Sequence, residues 1–167
     1  PFFYVTGYGA SSNDNPREFV IKSECTQNDV QFIKKYIQSC HDAFVAGDRA
    51  EIDRLVDIPS LIDMYIIEEL TKDVDVGAAS FFMQKSPGGK IVFTAPWDFD
   101  FGFGTYGKAV SFENMVSIGR EGCTWYSELL EEEWFRKEVL DRMADLDDDF
   151  DATLKEIRNK GNELESS

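Results

Sequence analysis

Residues 80–104, "SFFMQKSPGGKIVFTAPWDFDFGFG", decide how the chain is read. Two β-leaning runs, "SFFMQK" and "KIVFTA", flank Ser86-Pro87-Gly88-Gly89, a turn signal that predicts a hairpin at about residues 80 to 95. The hairpin runs straight into "PWDFDFGFG", where Asp98 and Asp100 stand two residues apart among Trp97, Phe99, Phe101 and Phe103. In an extended chain successive side chains face opposite ways, so Asp98, Asp100 and Gly102 are expected on one side and the three phenylalanines on the other. One face is then wet or metal-bound and the other core. A buried carboxylate must be neutralised, paired or coordinated, so acid groups in such an apolar run point to a site.

Upstream, the pattern is helical. Thr26 reads as the N-cap of a helix to about Ala46, closed by Gly47, with Val30, Ile33, Ile37, Cys40 and Phe44 on one apolar face. A shorter helix is expected around residues 50–56. Pro59 opens "PSLIDMYIIEEL", whose Leu61, Ile62, Tyr65, Ile66 and Leu70 form a wide stripe suited to a central position. Before these, "PFFYVTGYG" and "REFVIKSE" read as short strands around the turn-rich "SSNDNP". Downstream, a loop rich in Gly, Ser and Asn, from residue 105 to about 123, leads to two helical patterns, "TWYSELLEEEWF" and "RKEVLDRMADLDDDFDATLKEIRNK". The tail "GNELESS" is expected to fray.

The composition sets outer bounds. With 167 residues, 43% apolar and 14% aromatic, the chain suffices for one globular domain. A formal net charge of −15 argues against nucleic acid or an anionic membrane as partner. No apolar run reaches membrane-spanning length, so membrane insertion is not expected. Cys25, Cys40 and Cys123 are too few and too scattered for a zinc site or a disulfide framework. The single histidine, His41, lacks partners at ligand spacing and is expected on a surface or half-buried helix position.

The two acidic segments can be related by spacing. Asp75 follows the central helix, Ser80 lies five residues on, and Asp98 lies a further 18 beyond the hairpin. Protein kinases order their parts in this way: H-R-D-x-x-x-x-N supplies a base Asp and a metal-binding Asn, and a hairpin then leads to the metal-binding Asp of D-F-G. Alternatives stand beside this reading. Asp98 and Asp100 could form a calcium loop, although such loops interleave small polar residues, not Phe. Asp73 and Asp75 could cap a helix end or remain solvated.

At "SLIDMYIIEELTKDVD", the hairpin with "APWDFDFGFG", and "SELLEEEWFRKEVLDRM", the chain resembles the spore-coat protein H (CotH) kinase-like family, over about residues 19 to 142. The resemblance implies an α+β, mostly helical fold: a single domain over residues 1–167 akin to the C-lobe of an atypical protein kinase, its one β-hairpin carrying a WDFD metal-binding segment. It implies transfer of phosphate from ATP to serine on secreted, spore-coat or other surface proteins, with Mg or Mn as cofactor and an extracellular or spore-surface location. By the same similarity Asp75 matches the catalytic aspartate and Asp98 the metal-binding aspartate. Ser80 stands where a further metal or phosphate contact is expected, and Asp100 is either an acidic second ligand or a group that supports the ligands from behind. No G-x-G-x-x-G precedes these elements. Gly7-Tyr8-Gly9 is a fragment of one and Val20-Ile21-Lys22 an echo of V-A-I-K, so the small nucleotide-binding lobe is expected upstream of these residues. The alternative is a non-catalytic surface or scaffold module, for example of a cellulosome- or spore-coat-associated protein, that keeps the kinase-like fold.

Overall fold

A computed structural model describes residues 1–8, 18–73, 79–105 and 124–165. The longest buried helix, α1 (Gln27–Ala46), starts where the sequence places it. The Thr26 hydroxyl accepts the Asp29 N–H at 3.3 Å and the Asp29 carboxylate accepts the Thr26 N–H at 2.8 Å. These bonds form a capping box and hold the Asp29 carboxyl below its ordinary range. Gly47, at φ 62°, closes the helix in the left-handed conformation that costs glycine least. α2 (Arg49–Leu55) is capped by Asp48 and α3 (Ile58–Thr71) by Asp57, whose carboxylate accepts the Ser60 N–H at 3.0 Å.

α3 is the central element. It buries Ile58, Leu61, Ile62, Met64, Tyr65 and Ile66, as the wide apolar stripe requires. Leu70 departs from that expectation: it is 48% exposed, although Glu68 in the same turn is buried. The hairpin consists of β3 (Phe81–Lys85) and β4 (Ile91–Pro96), paired antiparallel around the Ser86–Gly89 turn. It is pinned to the start of α3 at two points. The Asp57 N–H donates to the Ile91 carbonyl at 2.8 Å, and the Phe93 N–H donates to the Ser60 hydroxyl at 3.0 Å. A second small sheet pairs β1 (Phe2–Tyr4) with β2 (Glu18–Val20).

The helices after the hairpin close the core. α4 (Thr124–Glu131) inserts Trp125, whose ring meets Phe44 and Tyr8 at 5.0 Å and also touches Phe19, Phe81 and Phe93. α5 (Glu133–Asp145) packs Phe135 and Val139 inward and is tied to α3 by the paired bonds of Arg142 to Asp63, at 2.7 and 3.3 Å. α6 (Asp147–Glu165) follows. Among the described residues the fold is α+β and mostly helical.

Three readings are corrected. The last two helical patterns form three helices, because Glu132 adopts an extended conformation and Leu146 leaves the helical region; a single non-helical residue does not disturb an apolar period enough to show in sequence. The tail does not fray from Gly161, since α6 continues to Glu165. His41 is neither on the surface nor half-buried. It is a core residue whose Nδ1 accepts a hydrogen bond from Trp125 Nε1 at 3.2 Å, and burial pushes its pKa below the ordinary value. Cys25 and Cys40 are free thiols, and burial raises that of Cys40 to about 12; Cys123 lies outside the described residues.

Candidate functional site at the open end of the hairpin

The register of the hairpin brings two of the expected residues to one end. Phe81 pairs with Pro96, so Ser80 and the Trp97–Asp98 step lie together where the strands open. An irregularity between Phe81 and Met83, with three β4 steps against two on β3, adds local twist there. Asp100 follows within a single 3-10 turn, Phe99–Phe101. Asp75 falls in residues 74–78, outside the described residues.

The expected alternation of acidic and aromatic faces does not form. Asp98 adopts φ 64° and ψ 53°, and the chain then coils into the 3-10 turn, which ends the period of two on which the expectation rested. Asp98 and Asp100 are both exposed, but so are Trp97 at 59% and Phe103 at 69%. Of residues 97–105, only Gly102 is buried.

Gly102 is buried because the segment is clamped onto the end of α3. A Cβ at this position would lie 3.1 Å from the Phe99 carbonyl oxygen and 3.2 Å from that of Thr71, both backbone atoms that cannot swing away. The next residue, Phe103, donates its N–H to the Thr71 carbonyl, one of the acceptors a helix leaves open at its C-terminus. The Thr105 hydroxyl lies 2.5 Å from the Asp100 carbonyl oxygen and 2.8 Å from that of Gly102, which ties the coil together. The acidic segment is thereby held against the helix end from which the chain continues toward Asp75.

Backbone strain gathers at the same place. Among the described residues, the non-glycine positions with positive φ are Lys72 (56°), Ser80 (52°), Asp98 (64°) and Phe103 (53°). They cap α3, precede β3, open the 3-10 turn and follow Gly102. An aspartate tolerates this region moderately well, but a phenylalanine there is a genuine outlier. Strain of this kind persists only where surrounding structure over-determines it, and it favours functional sites.

The end of α3 also buries carboxylates that the sequence reading missed. Glu68 is buried, and Asp73, at 1% exposure, is neither solvated nor a simple surface cap. Lys72 and Glu69 form a largely buried ion pair at 3.2 Å beside them. Position 68 falls in helical phase with Leu61 and Tyr65, so its burial could have been read from the period of α3. No sequence signal marks Asp73.

Chemically, Ser80, Asp98 and Asp100 offer only hard oxygen donors, the set that suits Mg²⁺ or Mn²⁺. No three His, Cys, Asp or Glu side chains among the described residues group as a protein-only metal cluster. Mg²⁺ is commonly held by one or two carboxylates plus substrate phosphates, so the residues present fit a nucleotide-bound ion.

Comparison with known proteins gives a single finding. Neither the curated proteins nor the solved structures provide a significant match. The family described as CotH kinase protein matches residues 8–164, a wider span than the motifs alone marked out. With nearly the whole chain matched, this protein belongs to the CotH kinase family.

Proposed function

We propose that the chain is the catalytic portion of a protein serine kinase that moves the γ-phosphoryl group of ATP onto secreted or surface-coat proteins. The observation that carries this reading is the clamp between Gly102–Phe103 and Thr71, which sets the Asp98 segment beside the helix leading to Asp75. Kinase chemistry needs two carboxylates with separate tasks at such a junction. Asp75 orients the acceptor serine and takes its proton as the serine Oγ–P bond forms and the bond from the γ-phosphorus to the ADP oxygen breaks. Asp98, with Ser80 and Asp100, holds the divalent ion. Mg²⁺ or Mn²⁺ bound there neutralises charge on the phosphates. The strained backbone at Ser80 and Asp98 fixes these donors before nucleotide arrives, and preorganisation of this kind lowers the cost of reaching the transition state.

The test is transfer of labelled phosphate from ATP by the protein to itself or to a coat-protein extract. Asp75→Ala and Asp98→Ala should each abolish transfer while leaving the unfolding transition cooperative. Transfer that survives Asp75→Ala removes the base from the scheme and with it the kinase assignment of this site.

A further inference from the structure

α6 presents an unusual surface. Its 19 residues contain no buried position, although a helix of this length without packing is marginal in water. Its apolar residues nevertheless follow one line. Phe150, Leu154, Ile157, Gly161 and Leu164 are spaced alternately by four and three, the seam of a two-helix coil and narrower than the face of a core-packed helix. Phe150 is half-buried against the domain, but Leu154, Ile157 and Leu164 are 49%, 61% and 77% exposed. Gly161 leaves a gap in the seam, with nothing within 4 Å of where a Cβ would lie.

We infer that this seam is a self-association surface, on which a second copy of the chain lays its own α6 antiparallel. The charges select both the partner and the direction. Asp147, Asp148, Asp149 and Asp151 crowd the first turns, whereas Lys155, Arg158 and Lys160 lie further along among Glu156, Glu163 and Glu165, so only the first half is strongly acidic. Parallel pairing would set Asp147, which lies on the seam, against its own copy. Antiparallel pairing centred between residues 155 and 156 sets Leu154 against Ile157 of the partner subunit. It also sets Gly161, which has no side chain, against the exposed edge of Phe150 of the partner subunit. At the flank, Asp151 meets Arg158 of the partner subunit twice by symmetry. Neither Asp151 nor Arg158 forms an ion pair with any described residue within one chain, so both charges are available. Such flanking charges set orientation in helix pairs, and a two-fold contact is self-complementary and closed.

Sedimentation equilibrium of the whole chain from about 5 to about 500 µM spans the affinity expected for a small interface. The mass should rise from 19.0 kDa toward twice that value. Ile157→Asp should return it to the monomer, with the circular dichroism and unfolding midpoint of the dilute protein unchanged because the residue is exposed. Asp151→Arg should weaken association about tenfold by setting like charges together, and adding Arg158→Asp should restore it. A chain that stays monomeric throughout, or a dimer indifferent to Ile157→Asp, overturns the interface. A dimer that loses association with Ile157→Asp but ignores the charge exchange overturns the antiparallel arrangement, because parallel pairing places residue 151 away from residue 158.

Discussion

The packed centre and the open end of the hairpin are built from the same residue types under opposite rules. In the centre, Phe44, Leu61, Trp125 and Tyr126 are buried, α1, α2 and α3 begin at side-chain caps, and their backbone stays in its ordinary helical region. At the hairpin end, Trp97 and Phe103 lie in solvent, and the described non-glycine residues with positive φ, spread along the chain from Lys72 to Phe103, are brought together by strand pairing and by the Phe103–Thr71 bond. The centre minimises free energy locally. The end holds strained, wet aromatic and acidic groups in place through a few backbone bonds, as expected where selection acted on chemistry over stability.

The contrast breaks most visibly under truncation in the centre. Leu61→Ala removes a fully buried side chain between α3 and its neighbours and should cost about 3–5 kcal/mol in denaturant unfolding. A cost near zero would mean that the centre is not packed as described. Gly102→Ala is the matching insult to the other region. It drives a Cβ against two backbone carbonyls and should cost about 1–3 kcal/mol, with loss of protection from hydrogen exchange at the Phe103 amide.

Phe103→Gly sharpens the comparison by reversing its sign. Glycine relieves the left-handed strain but loosens the unfolded chain, so the net gain should be about 1 kcal/mol or less. A destabilisation beyond that range would show that the exposed ring contributes to stability. The smallest effect is a pH dependence placed in the centre. The pKa of buried His41 lies below its ordinary 6.5, so the unfolded chain takes up a proton that the folded chain refuses. Stability contributed by His41 is therefore present above pH 6.5 and lost as pH falls below it, toward the lowered folded value. The slope of unfolding free energy just below pH 6.5 should flatten in His41→Gln, which can still accept from Trp125.

These regions also differ in how far they could be read from residues alone. The caps at Thr26 and Gly47, the Ser86–Gly89 turn and the stripe of α3 are local signals, each carried by neighbours along the chain, and the structure follows them. The hairpin was legible in the same way. What was not legible depends on contacts distant in sequence. The burial of His41 comes from Trp125, 84 residues away. The coil after Asp98 comes from the grip of Thr71 on Phe103, which overrides the alternation that aspartate and phenylalanine suggest on their own. The breaks at Glu132 and Leu146 serve the packing of α4 and α5 against different partners, so periodicity carries no trace of them. Asp75 lies outside the described residues, and its role rests on spacing and on the family.

We propose that the hairpin end keeps its strain and exposure in order to hold a divalent ion together with nucleotide. Calorimetric titration of Mn²⁺, with ATP present, into the chain, its Asp98→Asn variant and its Asp75→Asn variant tests this most directly. Asparagine keeps the shape of aspartate and tolerates a left-handed backbone, so only the charge changes. Asp98→Asn should weaken binding by about tenfold or more, since a carboxylate is the principal ligand, while Asp75→Asn should leave it within about twofold. Binding unchanged in Asp98→Asn, or lost only in Asp75→Asn, would contradict the assignment.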